Sequence, residues 1–289
     1  MTAPSPWIVH SDPPGFLRGA RHRGDRLRRF RTPPPHADRD ALSVPRQAAE
    51  EGRTAFPATV IPAAEAPRIL VSGRHQAKIG IRIEKGPWAG LPIYCLTLEE
   101  RATCPRSCHE WATCYGNGMH LSRRLAPGPD LEYLLGAELA MLADRHRRGF
   151  AVRLHVLGDF YSVRYTARWA VWLRWIPGLH LFGFTAHPDG SPIARLVERM
   201  NGRFPDRCAI RFSRAAPSGQ GWEAVTIWRA EEGPWVPEGL ICPAQLGRTA
   251  TCGTCGLCWS PAAGATTIVF LGHGRRRPFH AKAAEEAEA

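Results

Sequence analysis

The sequence predicts an α/β fold: a partial (β/α) barrel or an open parallel sheet, with a cysteine-rich C-terminal element. Three observations lead there. Between residues 130 and 212, apolar strand-like runs alternate with amphipathic helical stretches; this alternation needs right-handed crossovers and builds a parallel sheet. Polar residues gather where each strand-like run stops, which is where both architectures place their working site. Seven of the nine cysteines fall into two tight groups, one in mid-chain and one near the C-terminus, and such spacing reads as metal ligation.

In chain order, residues 1–66 carry ten prolines and ten arginines, Pro33-Pro34-Pro35 among them, with little apolar periodicity. This composition predicts an extended or disordered basic leader. A single metal-binding domain is expected over 67–274, its folded part beginning near Arg68, and a polar tail over 275–289. Residues 69–71, 79–83 and 91–98 predict short strands, the second by apolar-polar alternation. From Asp130 to Arg148, Leu131, Leu134, Leu135, Leu139 and Leu142 recur near helical spacing, with Asp130 as N-cap and Gly149 as stop. Strands over 151–157, 179–185 and 208–212 then alternate with helices over 165–175 and 192–204.

The strand ends carry the candidate ligand contacts. The first reads His155-Val156-Leu157-Gly158-Asp159-Phe160-Tyr161-Ser162, the second Phe184-Thr185-Ala186-His187, and the third Phe212-Ser213-Arg214. Gly158 lets the backbone approach a ligand closely, and Asp159 can accept from an amine or a ribose hydroxyl. The same two residues also suit a turn and a cap for the helix beginning near Val163, and both readings stand. His155, earlier in its strand, reads as a packed core residue, while His187, beyond a strand end, reads as a ligand contact. Trp111, Tyr115, Phe160 and Tyr161 either stack on a base or adenine or close the core.

The cysteine groups are Cys104-x3-Cys108-x5-Cys114-Tyr115 and Cys242-x9-Cys252-x2-Cys255-x2-Cys258. In a reducing compartment such spacing serves metal binding more often than disulfides. Successive two-residue spacers favour a cubane iron–sulfur cluster over zinc for the second group, with Gly253 and Gly256 permitting the sharp turns. Three thiolates in the first group would leave one iron of a four-iron cluster open to a ligand. Cys95, inside a strand-like run, reads as a packed thiol in preference to a fourth ligand, and Cys208 as core.

A formal net charge of +12 and a pI near 9.8 favour an anionic partner, nucleic acid or nucleotide. Much of that charge sits at the ends, in Arg21, Arg23, Arg26, Arg28, Arg29 and Arg31 and in Arg275, Arg276 and Arg277. No run of about 18 apolar residues occurs, and no signal peptide opens the chain, so a cytoplasmic protein without membrane contact is expected. The Gly-x4-Gly-Lys-Ser/Thr phosphate loop is absent.

Cys104-Pro105, Cys108, Cys114-Tyr115-Gly116-Asn117, Gly158-Asp159-Phe160-Tyr161-Ser162, Phe184-Thr185 and Cys242-Pro243-Ala244-Gln245 together resemble a phage and bacterial family catalogued as "gene product 88". The likeness runs from about residue 69 to 273 and implies no assigned activity. More distantly, the layout is similar to radical S-adenosylmethionine enzymes, although the cysteine spacing is three and five where theirs is three and two, and no Gly-Gly-Glu-Pro occurs. That resemblance implies a four-iron cluster on Cys104, Cys108 and Cys114 that chelates S-adenosylmethionine. It also implies cofactor contacts from the strand-end set of Gly158, Asp159, Tyr115, Thr185 and His187, a second cluster on Cys242, Cys252, Cys255 and Cys258, and an electron-donor protein. The competing expectation is a zinc-dependent nucleic-acid-binding protein of a phage or mobile element, without catalysis.

Overall fold

The computed structural model describes residues 43–227 and 239–272. Its elements are α1 (Ser43–Glu51), β1 (Val60–Ile61), β2 (Val71–Ser72), β3 (Ile93–Cys95), β4 (Arg124–Leu125), α2 (Pro129–Arg145), β5 (Phe150–Leu154) and α3 (Val163–Trp175). Then come β6 (Leu179–Thr185), α4 (Pro192–Arg203), β7 (Cys208–Arg214), β8 (Glu223–Ile227), β9 (Gly239–Ile241), the short α5 (Cys252–Cys255) and β10 (Thr267–Leu271). Eight strands form one sheet in the order β2-β3-β5-β6-β7-β8-β10-β9, running from edge to edge without closing into a barrel. Every neighbour pair is parallel except β2 with β3. β1 and β4 pair separately.

The alternation over 130–212 folds as its periodicities dictate. Leu131, Leu135, Leu139 and Leu142 line the inner face of α2, and with Phe150, Val152, Leu154, Trp169 and Val197 they form the main core between helices and sheet. Ser162 caps α3 by accepting from Tyr165 N, and Ser191 caps α4 by accepting from Ala194 N. Asp130 is not the cap of α2: Gly128 holds that position and Pro129 opens the helix, because proline's fixed φ is already helical.

Three predicted strands are shorter than expected or absent. Ile69 and Leu70 donate their N–H groups to the Glu138 carboxylate, at 2.7 and 3.3 Å, so pairing starts only at Val71. Residues 79–83 form no strand; a single bridge joins Arg82 to Pro92, since Gly80 at φ +89° and Gly86 at φ +76° bend the chain while Ile79 and Ile83 still bury. Over 91–98 the ladder narrows to β3. β5 likewise stops at Leu154 because His155 takes φ +52°.

The leader boundary also moves. The chain is already folded from Ser43: Ala48, Thr54, Ala55 and Ala63 are buried, and Thr54 Oγ1 donates to Glu100 at 2.7 Å. Apolar periodicity is weak here because the segment is fastened mainly by polar contacts to the first cysteine loop. Residues 1–42 of the leader, the 275–289 tail and both terminal arginine groups lie outside the described residues. No helix among the described residues is long and apolar enough to cross a membrane.

The face of the sheet opposite the helices decides where the cysteines sit. A second core of Ile79, Ile83, Trp88, Ile93, Cys95, Ala151, Phe182, Ala209 and Trp259 covers it, with Cys252 and Cys258 packed against that core. The rings of Trp88 and Trp259 stack at 6.1 Å, tying the segment before β3 to the second cysteine group.

Candidate functional site

The first cysteine group lies in the loop between β3 and β4, at the carboxyl ends of the central strands. Its floor is a network of buried charges. Arg124 Nε donates to Glu100 Oε2 at 2.6 Å and its Nη2 to Glu100 Oε1 at 3.0 Å. The same guanidinium donates to the carbonyls of Gly116, Met119 and Ser122 and to Thr59 Oγ1. Arg101 spans the loop from the carbonyls of Trp111 and Arg53 to Asn117 Oδ1, and at the exposed rim of this floor Arg53 pairs with buried Glu99 at 2.6 Å. Polar groups buried this deeply persist only when bonded, so the network holds the cysteine loop in one shape.

On that floor, tight turns bring the three thiols into one neighbourhood. Cys108 N donates to Pro105 O and Asn117 N to Cys114 O. Burial pushes the Cys104 thiol well above its ordinary value, and nearby Asp159, Cys114 and Cys108 add to the shift. Burial raises Cys108 to about 12, with Cys114 and Asp159 again adding, and Cys114 to about 11. Tyr115 is 45% exposed; desolvation raises its hydroxyl against the opposing pull of nearby Arg153.

Gly158 and Asp159 sit beside these thiols. Gly158 adopts φ +85°, and a Cβ there would meet Thr103 Oγ1 at 2.5 Å and Leu98 Cβ at 2.7 Å. The close backbone approach expected for a ligand is thus made to the chain's own loop. Asp159 accepts from Phe160 N and Ala186 N, each at 2.7 Å, so its carboxylate ties the end of β5 to that of β6. Burial raises its pKa, while His187 and those two N–H groups oppose the rise. Thr185 is buried and accepts from His187 N at 3.3 Å; His187 Nε2 donates to Phe160 O at 2.7 Å.

The remaining aromatic and imidazole candidates divide. Trp111 is half-buried, donating to Ala49 O at 2.8 Å with the Arg106 guanidinium 4.9 Å over its ring. Phe160 is buried and Tyr161 stacks on Tyr165 at 4.3 Å. His155 is buried, as read, with Nε2 3.0 Å from the Tyr165 hydroxyl.

The second group stands apart from the first. Cys242 follows β9, while Thr251 caps α5 through a reciprocal bond pair with Thr254. Cys252 N and Gly253 N donate to the carbonyls of Lys78 and Ile79, and Gly253 lies so near Arg82 O that a Cβ would reach it at 2.2 Å. Gly256 at φ +73° turns the chain toward Cys258. Together Cys242, Cys252, Cys255 and Cys258, with Leu257 and Trp259, line a small recess, partly open to solvent. Burial raises Cys252 to about 11 and Cys258 to about 12. Among the described residues, no three His, Cys, Asp or Glu side chains converge on a single-ion position.

Besides Arg101 and Arg124, sequence reasoning missed Arg211 and Arg153 in the strands, although a charged residue inside an apolar strand run was the available signal. Arg211 is wholly buried in β7 and donates to the carbonyls of Cys258, Glu223, Thr266 and Ala263. Arg153 in β5 faces the same side, between the two cysteine groups. Cys95 and Cys208 are buried thiols, and Cys95 packs in the core that Cys252 and Cys258 touch. No family model, curated protein or solved structure matches this chain.

Proposed function

We propose that the chain is an iron–sulfur protein with two centres, built as an enzyme of the radical S-adenosylmethionine type. In this reading Cys104, Cys108 and Cys114 hold a four-iron cluster with one open iron, and Cys242, Cys252, Cys255 and Cys258 hold a second, fully ligated one. The observation that carries it is that four thiols, those of Cys242, Cys252, Cys255 and Cys258, line one recess. The successive two-residue spacers of Cys252, Cys255 and Cys258 favour a cubane over a single zinc ion. Arg211 adds support: a buried guanidinium bonded only to carbonyls, among the described residues, requires an anion nearby, and a thiolate-bound centre supplies it.

When bound and reduced, such a cluster supplies the electron that cleaves a sulfonium carbon–sulfur bond. The chain's own part is to hold three thiols at the strand ends, fix β5 to β6 through Asp159, and present Tyr115 and His187 beside them. The raised thiols stay protonated until metal displaces their protons. A surface rich in arginine suits an anionic substrate or nucleic acid.

Anaerobic purification with iron, sulfide and zinc quantified, followed by a cofactor-cleavage assay under reduction, tests the reading. Brown protein is expected, with Cys108→Ala losing one centre and all cleavage, and Cys258→Ala losing the other centre while the first keeps its spectrum. Colourless protein carrying stoichiometric zinc overturns it in favour of the nucleic-acid-binding alternative.

A further inference from the structure

The arginines on and around the sheet differ in how many of their five N–H donors are used. Arg124 bonds to Glu100, Thr59 and three carbonyls, and Arg211 to four carbonyls. Arg101 uses all three of its nitrogens, on the carbonyls of Trp111 and Arg53 and on Asn117 Oδ1. Arg153 is the exception, for among the described residues it donates only to Leu154 O and forms no ion pair with a carboxylate.

Its surroundings are those of a ligand site. Arg153 stands in β5 opposite Cys95 of β3 and Phe182 of β6, on the face where Cys252 and Cys258 pack. The guanidinium carbon lies 4.8 Å from the ring centre of Phe184 and 6.0 Å from that of Phe182. Phe184 meets Phe270 edge-on at 5.4 Å, and Arg153, Phe184 and Phe270 are all half-buried. A guanidinium with a ring against its flat face keeps its edge free, and that edge offers parallel N–H groups matched to a carboxylate or phosphate. Arg153 lies within electrostatic reach of Cys252 and Cys258, as Arg211 does of Cys258, but unlike Arg211 it keeps donors to spare.

We propose that Arg153 anchors the oxyanion of the substrate, a carboxylate or phosphate, while Phe184 and Phe270 form the wall for an attached aromatic ring. This deepens the enzyme reading above, on which it rests, by naming the substrate class. The test is calorimetric titration of the full chain with benzoate and phenyl phosphate, with neutral benzamide as control. Saturable binding of at least one anion is expected, weakened about tenfold or more in Arg153→Gln, as for loss of a charged hydrogen-bond pair. Arg153→Lys should also bind more weakly, because an ammonium cannot form the paired contact, and its retained charge checks that the fold survives. Whichever anion binds more tightly identifies the oxyanion. Equal affinity in wild type and Arg153→Gln, benzamide binding as tight as benzoate, or no saturable binding overturns the assignment. Competition by S-adenosylmethionine also overturns it, since the anchored group is then the cofactor's carboxylate. Iron measured on the same samples reports separately: iron-free protein with Arg153-dependent benzoate binding sinks the enzyme reading and leaves this site standing.

Discussion

Replacing Glu100 by Gln attacks the floor of the first cysteine loop with little change of shape. The Glu100 and Arg124 side chains are 1% and 0% exposed, so solvent does not screen their attraction. Arg124 reaches both carboxylate oxygens, and Thr54 Oγ1 adds a bond to Oε1. Glutamine has one acceptor oxygen and one amide nitrogen. If the oxygen keeps the Oε1 place, the amide points its hydrogens at Arg124 Nε, donor against donor; in the other orientation Thr54 and Nη2 both lose their acceptor. Removing one partner of a buried pair costs about 3–5 kcal/mol, a large share of the roughly 5–15 kcal/mol that holds a typical domain together. Urea denaturation followed by circular dichroism should show this as a lower midpoint with an unchanged slope. Because Arg124 also holds the carbonyls of Gly116 and Met119, metal at the first centre should fall while the four-cysteine recess keeps its own. A loss under about 1 kcal/mol, the value of an exposed ion pair, refutes the argument.

Two further changes probe the strand ends. Burial, with Arg153 and His187 adding, pushes His155 down to about 3, against about 6.5 in an unfolded chain. Between those values the unfolded state binds the extra proton, so the stability from this group is complete above pH 6.5 and drains away as pH falls. The loss is about 2 kcal/mol by pH 5. His155→Asn tolerates the left-handed backbone and removes the titration, so urea midpoints at pH 7 and pH 5 should differ less in the variant; equal differences count against the assignment. Gly158→Ala should cost about 2–5 kcal/mol, summing left-handed strain and overpacking against Leu98 and Thr103. Thermal melting reads this directly, and a loss under about 0.5 kcal/mol would show that the turn relaxes.

The central α/β unit was legible because its signals are local. Leucines at helical spacing mark α2 and apolar runs mark β5, β6 and β7, each settled within a few residues of itself, whereas the cap of α3 is Ser162 and not Asp159. Most of the two cysteine groups was legible for the same reason, since two- to five-residue spacers confine sulfurs to short turns; Cys242, separated from Cys252 by nine residues, is the exception. The leader boundary was not legible: Thr54 and Arg53 reach Glu100 and Glu99, some 46 residues away along the chain, and no periodicity announces such contacts. Asp159 and Gly158 were found by position, but what they touch was decided by packing: Asp159 bonds the next strand's Ala186 N, and Gly158 abuts Leu98.

By itself, then, the sequence determined the alternation of strands and helices, the parallel order that follows from it, and the two close groups of cysteines. Only tertiary structure decided that the sheet stays open and that residues 43–66 fold against the cysteine loop. It also decided that Arg211 is sealed among carbonyls while Arg153 keeps spare donors. The physical reason is range: propensity and spacing act between near neighbours, whereas burial, charge pairing and donor satisfaction depend on which distant segments the closed fold presses together.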